Sequence, residues 1–355
     1  MIRLPFLDWM RGLAVVIMIQ CHVFNSFTRF DLRQSRLYIW TQFIGGMAAP
    51  LFLFMAGMTS GFQMDRLDRR LMRRSERWLS ALKRAGYIVL IAYLLRLTSW
   101  LPSLPNPNMQ ELLKVDILNC MGLAMLVFSM AALFDWRWRI AGAVVAASFV
   151  AAASPLMSAV DWSRLPSVAR YYLVPGPDRT QFAFFPCAAY LGFGIAAGTV
   201  VKRASSADGR NQLTRLMCWL APAGLVLTFG IRYLANRPFS IYKNVDFWRT
   251  SPALILIRLG IMLLLLSATY LWTALRNTHR WSGMETLGKT SLLVYWVHVM
   301  LVYGSLSASV KRSLTPQGSA AAAIIVILMM LALAEARLRL KGASLWRGGR
   351  LHQAA

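Results

Sequence analysis

The sequence predicts an all-α, polytopic integral membrane protein of about ten transmembrane helices, with both termini in the cytoplasm. Of its 355 residues, 57% are apolar and only 15% are charged, and the mean hydropathy is +0.49. An average soluble protein is about half apolar and about a quarter charged. The apolar excess excludes a disordered chain, and a content of only four cysteines excludes a small disulfide scaffold.

Ten apolar runs follow one another along the chain. A bilayer core requires about 20 mainly apolar residues per helix. Runs of about that length cover residues 10–29, 41–63, 83–101, 117–134, 139–158, 182–201, 216–235, 252–274, 289–310 and 319–338. The stretches between them are too short for a second domain, so residues 1–355 are predicted to form one transmembrane domain.

The basic residues are placed as in membrane proteins of fixed orientation. The chain has 39 Lys and Arg against 14 Asp and Glu, a net charge of +25. Cytoplasmic loops are enriched in basic residues, and an internal N-terminus puts 24 of these 39 inside, eight of them in the loop 65–84. We therefore expect a multi-pass protein of the cell (inner) membrane, with the lipid bilayer as partner and without nucleic-acid binding.

Small residues recur at helical spacing in two spans. Gly57 and Gly61 lie four apart in the second span, and Gly194 and Gly198 lie four apart in the sixth. Such pairs let helix backbones approach closely. We interpret them as structural, and the sequence leaves a homo-oligomer open.

Two ionisable side chains in the first span are the main functional candidates, because such groups are costly in hydrocarbon. Arg11 and His22 are 11 residues apart. At about 100° per residue both project from one helix face, and they lie about 16 Å apart along the axis. Arg11 is then at the inner interface, and His22 lies beyond the midplane.

This spacing suits one long ligand. Arginine can hold phosphate oxygens at the cytoplasmic face, and a neutral imidazole further along can act as a base. Acyl-coenzyme A has this shape, with a phosphorylated head, an extended arm and a terminal thioester. The alternative is that Arg11 only extends to the interface and His22 bonds a neighbouring carbonyl.

The ninth span carries a second polar group, formed by Tyr295, Trp296 and His298. His298 lies nine residues beyond Lys289, which is about 13 Å deep and similar to the depth of His22. We expect the two histidines to share a cavity in which His298 orients the acceptor or the thioester carbonyl and Tyr295 contacts the acceptor. The alternative is a buried histidine satisfied by its own neighbours.

Five stretches resemble a family of membrane enzymes. They are FLDWMRGLAVVIMIQCH (6–22), GGMAAPLFLFMAG (45–57), VDILNCMGLAML (115–126), FFPCAAYLGFGIAAG (184–198) and LGKTSLLVYWVHVMLVYG (287–304). The first has an Arg, ten intervening residues and a His, as transmembrane acyltransferases do. Its LDxxRGxA context is similar to the heparan-α-glucosaminide N-acetyltransferase-like family, which is related to the acyltransferase-3 family.

The resemblance implies a reaction and a direction. Such enzymes take an acyl group, here expected to be acetyl, from cytoplasmic acyl-CoA and place it on a hydroxyl or amine at the opposite membrane face. The acceptor is commonly a sugar or glycolipid. His22 matches the essential histidine and Arg11 matches its arginine partner. Direct transfer and an acyl-histidine intermediate remain open.

The basic loop 65–84 has three interpretations. It sets the orientation, it contacts anionic lipid, or it gathers the CoA phosphates as arginine forks do. For the last role the candidates are Arg73, Arg74 and Arg84.

Two polar residues open the fourth span at its outer end. Asp116 either accepts a hydrogen bond from a sugar hydroxyl or caps the helix, and Asn119 is its neighbour on the same turn. Both are acceptor-binding candidates.

The four cysteines do not have the spacing of a zinc site. Cys21, Cys120, Cys187 and Cys218 lie in or near predicted helices. We expect buried thiols and no metal.

Two other classes compete with an enzyme. Ten helices with buried Arg and His would also suit a proton-coupled secondary transporter of a small polar solute, although the paired broken helices of such carriers are not seen in two halves. A membrane scaffold without chemistry is the third class. Hydrolysis and transfer assays with acyl-CoA separate the three.

Overall fold

The computed structural model describes residues 4–101, 109–176, 182–206, 210–236, 242, 245–276 and 281–351. Within these ranges the chain is helical and forms no β-strand, which confirms the all-α class. An isolated parallel bridge joins Thr28 and Leu314.

The helices follow in chain order. They are α1 Pro5–Phe27, α2 Arg36–Gly45, α3 Ala48–Arg69, α4 Arg74–Trp100, α5 Met109–Leu112, α6 Ile117–Phe128, α7 Trp136–Ala159, α8 Ser167–Leu173, α9 Phe184–Ala204, α10 Arg210–Leu225, α11 Ile231–Ala235, α12 Pro252–Leu275, α13 Gly283–Lys289, α14 Ser291–Tyr303 and α15 Pro316–Leu351. A π-helical turn, Val226–Gly230, joins α10 to α11.

Eight of the ten predicted spans coincide with long apolar helices among the described residues. In the part of the chain that the structure describes, eight helices are long and apolar enough to cross a bilayer, and each coincides with a predicted span. The predicted spans 117–134 and 289–310 contain only shorter apolar helices, Ile117–Leu133 and Ser291–Tyr303. The described residues therefore contain eight candidate full-length spans and two shorter apolar helices, and the sidedness of the termini stays a prediction.

The ninth predicted span, 289–310, is shorter mainly because α14 ends at Tyr303, and its helix begins only after a break at Thr290. This residue has φ −116° and ψ 16°, outside the helical region, and separates α13 from α14. A 13-residue helix such as α14 extends only about 20 Å. The apolar segment also ends earlier than predicted, at Gly304, which caps α14.

The described chain divides into two compact units. Unit 1 comprises Met1–Ala49 and Ala268–Ala355, and unit 2 comprises Pro50–Ser267. The prediction of one domain over 1–355 stays a prediction.

In unit 1, α1 and α13 pack backbone against backbone. A Cβ at Gly12 would collide with the carbonyl oxygen of Met284, and a Cβ at Gly288 would collide with the carbonyl oxygen of Asp8. Each glycine therefore fits under a carbonyl of the other helix, which allows an approach that no larger residue permits.

The far end of α1 is held by a short backbone ladder. The amide of Arg312 donates to Ser26 O, the amide of Leu314 donates to Phe27 O, and the amide of Arg29 donates to Leu314 O, all at 3.0–3.1 Å. The loop between α14 and α15 is thus fixed to the end of α1.

In unit 2, α3 and α9 pack through the predicted glycines. A Cβ at Gly57 would meet the carbonyl of Leu191, and one at Gly194 would meet the carbonyl of Phe54. Gly61 and Gly198 lie equally close to backbone atoms of the opposite helix. The structural interpretation of the two glycine pairs is confirmed.

Candidate active site

The structure brings the two intramembrane histidines of unit 1 into direct contact. His22 lies on α1 and His298 on α14, and His22 Nδ1 is 3.0 Å from His298 Nε2. Their ring centroids are 5.2 Å apart, with 16° between the ring planes. His298 has no exposed surface, and His22 is half-buried.

A backbone carbonyl fixes the proton positions of this pair. His298 Nδ1 lies 2.7 Å from Val294 O, and because a carbonyl oxygen only accepts, Nδ1 of His298 carries the proton. In the neutral ring, His298 Nε2 is then an acceptor and takes the hydrogen bond from His22 Nδ1–H. The remaining nitrogen, His22 Nε2, consequently carries a lone pair in the neutral form.

Two tyrosines border the histidine pair. The Tyr303 ring lies 5.3 Å from the His22 ring, and the Tyr295 ring lies 5.8 Å from the His298 ring. Tyr295 is a predicted acceptor contact, whereas the sequence reasoning missed Tyr303. The Tyr303 hydroxyl bonds the Asn25 side chain, one turn beyond His22. Its place at the end of the resembling stretch 287–304 was the available signal.

Arg11 lies one turn from an acidic partner, at the end of α1 where the glycine contacts occur. Its Nη1 is 3.0 Å from Asp8 Oδ1, and 21% of the Arg11 side chain is exposed. Because Gly288 packs on the carbonyl of Asp8, this pair is close to the α1–α13 contact. The carboxylate orients the guanidinium.

The predicted phosphate-binding arginines of unit 2 differ in surroundings. Arg73 and Arg74 are exposed at the start of α4, and Arg74 is 3.6 Å from Asp135. Arg84 instead bonds the Thr59 backbone, the Thr59 hydroxyl and the Gln63 side chain at 2.8–3.2 Å. Arg84 therefore connects α4 to α3 through these hydrogen bonds.

The predicted acceptor residue Asp116 is used as a helix cap. Its Oδ1 accepts from the amides of Leu118 and Asn119 at 2.9 and 3.1 Å, and its Oδ2 is 3.2 Å from Arg96 Nη2. Burial raises the pKa of the Asp116 carboxyl above its ordinary value, although Arg96 opposes this shift. The capping interpretation accounts for these contacts, and acceptor binding stays a prediction.

Asn119 belongs to a second hydrogen-bond chain in unit 2. Its Nδ2 donates to the Tyr172 hydroxyl at 3.0 Å, and this hydroxyl is 2.9 Å from that of Tyr93. Burial and the bond to Tyr93 raise the pKa of Tyr172. These hydrogen bonds connect α8 to α6 and α4.

The cysteine prediction is only partly right. Cys120 is buried, and Cys21 and Cys187 are half-buried, but Cys218 is exposed. Cys218 lies on α10, where Trp219 and Leu225 are also exposed, as expected for side chains that face lipid. Among the described residues no group of three or more His, Cys, Asp or Glu could hold a metal ion.

Comparison with protein families gives one match. A family model described as heparan-alpha-glucosaminide N-acetyltransferase, catalytic, matches residues 3–238. The matched range includes Arg11 and His22, whereas His298 lies beyond it. No curated protein shows significant similarity to the chain.

Proposed function

Because this chain belongs to the heparan-alpha-glucosaminide N-acetyltransferase catalytic family, it is a membrane acetyltransferase, and we propose that acetyl-CoA is its donor. The acceptor in this proposal is a hydroxyl or amine, most simply of a sugar or glycolipid, on the membrane face opposite to the donor. The contact between His22 and His298 carries the proposal, because it supplies an oriented base within the membrane segment.

His22 Nε2 is the proposed general base. It takes the proton from the acceptor amine or hydroxyl as that group attacks the thioester carbonyl. The C–S bond then breaks, and the proton passes to the departing CoA thiolate, so atoms and charge balance. In the acyl-histidine route, His22 Nε2 attacks the thioester carbonyl and the C–S bond breaks, so that CoA leaves as the thiolate. The acceptor then attacks the acyl-imidazolium, the C–N bond breaks to restore neutral His22, and the acceptor proton passes to the thiolate.

His298 acts through His22 in this mechanism. By accepting from His22 Nδ1–H, it selects the tautomer that leaves Nε2 basic, and it holds the imidazole plane. When His22 becomes protonated, this bond also strengthens, because its donor is then charged. Tyr295 borders His298 and is the proposed acceptor contact in this unit.

Arg11 is the proposed anchor for a donor phosphate. Asp8 fixes the guanidinium, and arginine recognises phosphate through charge-assisted bonds. Arg73 and Arg74, exposed at the start of α4, and Arg84 are further proposed phosphate contacts. Asp116 and Asn119 remain proposed acceptor contacts.

The test is acetyl transfer by the purified full-length chain in lipid nanodiscs of cell-membrane composition. Acetyl-CoA labelled in the acetyl group is supplied with glucosamine, a glucosaminide and a neutral hexose, and both CoA release and labelled acceptor are measured. We expect release and transfer together. A protein that moves solutes in proteoliposomes without consuming acetyl-CoA would instead be a transporter.

A further inference from the structure

Two cysteines of unit 2 lie against each other where α6 and α9 begin. Cys120 is in the first turn of α6, after the Asp116 cap, and Cys187 is in the first turn of α9, after Ala183. The Ala183 carbonyl accepts from the Cys120 thiol at 3.4 Å and from the Cys187 amide at 3.3 Å. The two thiols also share a hydrogen bond. Neither is joined in a disulfide in the structure.

The helices that carry these thiols also contact each other further along. A Cβ on Gly192 of α9 would lie 2.6 Å from the ring of Phe128, at the end of α6. That contact lies about two turns beyond Cys120, so α6 and α9 run side by side from their first turns. Disulfide formation depends on such proximity, because cysteines whose Cα atoms are more than about 7 Å apart cannot be bridged without backbone movement.

The two thiols differ in their surroundings. Cys120 has no exposed surface, and its charged neighbour is the Asp116 carboxyl. Cys187 is half-buried, and its charged neighbour is the Arg258 guanidinium of α12. Reactive cysteines are typically partly exposed and lie beside a cation. Cys187 is therefore the thiol that an oxidant meets first, and Cys120 is placed to react second.

We propose that Cys120 and Cys187 form a redox site that closes to a disulfide and thereby joins α6 to α9. The partner is a two-electron oxidant of thiols, such as a disulfide compound. The Cys187 thiol loses its proton and attacks one sulfur of that compound, which releases one thiol and leaves a mixed disulfide. The Cys120 thiol then loses its proton and attacks the Cys187 sulfur, which releases the second thiol. The pair loses two electrons and two protons, and the oxidant gains both.

The test uses the full-length protein in detergent micelles, reduced with dithiothreitol and then treated with oxidised glutathione. Beside the wild type, a variant with Cys21→Ser and Cys218→Ser retains this pair alone, so that no other thiol contributes. Alkylation after denaturation counts the thiols, and mass spectrometry identifies linked peptides and bound glutathione. We expect the variant to lose both alkylatable thiols, with the Cys120 and Cys187 peptides joined and no glutathione retained.

Two further substitutions in that variant form a matched pair and test the order of attack. With Cys120→Ser the second attack is impossible, so Cys187 should retain one glutathione as a mixed disulfide. With Cys187→Ser the remaining thiol has no exposed surface, so Cys120 should stay alkylatable and free of glutathione. Dithiothreitol should restore the thiols in each oxidised protein.

A second oxidant keeps the test decisive if glutathione is too large to reach Cys187. Diamide is a small diazene that accepts the same two electrons and two protons, and it should produce the same link. The proposal is overturned if both thiols of the pair remain alkylatable after both oxidants, or if the oxidised wild type joins Cys120 or Cys187 to another cysteine instead. Because the site requires no acetyl-CoA, a linked protein without acetyl transfer would count only against the proposed function.

Discussion

At the scale of single residues, the proposed chemistry depends on two hydrogen bonds that join three groups, Val294 O, His298 and His22. Three of the four ring nitrogens in this chain are engaged in hydrogen bonds. The chain resembles a base oriented by a third group, which is the general arrangement for activating nucleophiles. Its consequences can be tested one side chain at a time.

His22→Ala should abolish acetyl transfer, because the proposed base is lost. The expected decrease in kcat is about 10²- to 10⁴-fold, the usual contribution of a general base. Thermal unfolding of the purified variant controls for folding. Turnover within twofold of wild type would remove His22 from the catalytic role.

His298→Gln and His298→Leu should differ, because only the amide can accept a hydrogen bond from His22 Nδ1–H. We expect the Leu variant to lose most of the activity and to show a shifted pH–kcat profile, while the Gln variant recovers part of it. The KM for acetyl-CoA should stay constant in both. Equal losses with an unchanged pH profile would indicate that His298 only fills space.

Arg11→Ala should raise the KM for acetyl-CoA by about tenfold or more, because a charge-assisted bond to phosphate contributes roughly 1.5–3 kcal/mol. The KM for the acceptor should change little, and initial-rate kinetics with each substrate varied in turn measure both. Arg11→Lys retains the positive charge but not the forked guanidinium, so its KM for acetyl-CoA should lie between those of the wild type and Arg11→Ala. Parallel increases in both KM values would assign Arg11 a structural role.

At the scale of helices, the position of the histidine pair depends on the contact between α1 and α13. Gly12 and Gly288 each lie against a carbonyl of the other helix. A break at Thr290 then redirects the chain into α14, which carries His298. The sequence predicted the apolar segment, but not the short helix α13 before the break, because the polar stretch from Gly288 to Ser291 gives no helical pattern.

Gly288→Ala should therefore separate α1 from α13 and lower both stability and kcat. Overpacking typically costs about 1–3 kcal/mol. Gly283→Ala is the matched control on the same helix, since its added Cβ would lie 3.4 Å from the nearest side-chain atoms. Thermal unfolding in detergent and the transfer assay measure both effects. A Gly288→Ala protein as stable and active as the control would contradict the close-packing interpretation.

The interhelical glycines of unit 2 were predictable, and its ion pairs were not. A spacing of four between small residues is visible in the sequence, and it does mark the α3–α9 contact. The pairing of Asp68 with Arg139 joins residues 71 positions apart. Local sequence carries no information on such a pair, because it depends on how α3 and α7 pack.

At the scale of the molecule, orientation in the bilayer determines which substrate meets which end of each helix. The argument for it is the concentration of basic residues in the loop 65–84, combined with the cytoplasmic enrichment of such residues. The helices themselves were predictable from apolar length, because hydrocarbon thickness fixes that length. The contacts among the polar residues at the helix ends could not be predicted, because they depend on how the helices pack.

Cysteine labelling in intact cells tests this orientation. Ser75→Cys and Ser167→Cys both place the new thiol at an exposed position of unit 2, after the four native cysteines are replaced. An impermeant thiol reagent should label position 167 and not position 75, and membrane permeabilisation should expose both. External labelling at position 75 would reverse the donor and acceptor faces.

The backbone ladder that fastens the end of α1 has a consequence for the energetics of turnover. A helix held at a single point can swivel, but α1 is held near Gly12 and again at Ser26 and Phe27, about 21 Å further along. His22 lies between these two fixed points, so the position of its backbone is restrained from both sides. Its alignment with His298 is consequently established when the chain folds, before any substrate arrives. The reaction then requires little reorganisation around the base, which is the condition under which fixed polar groups lower a barrier most.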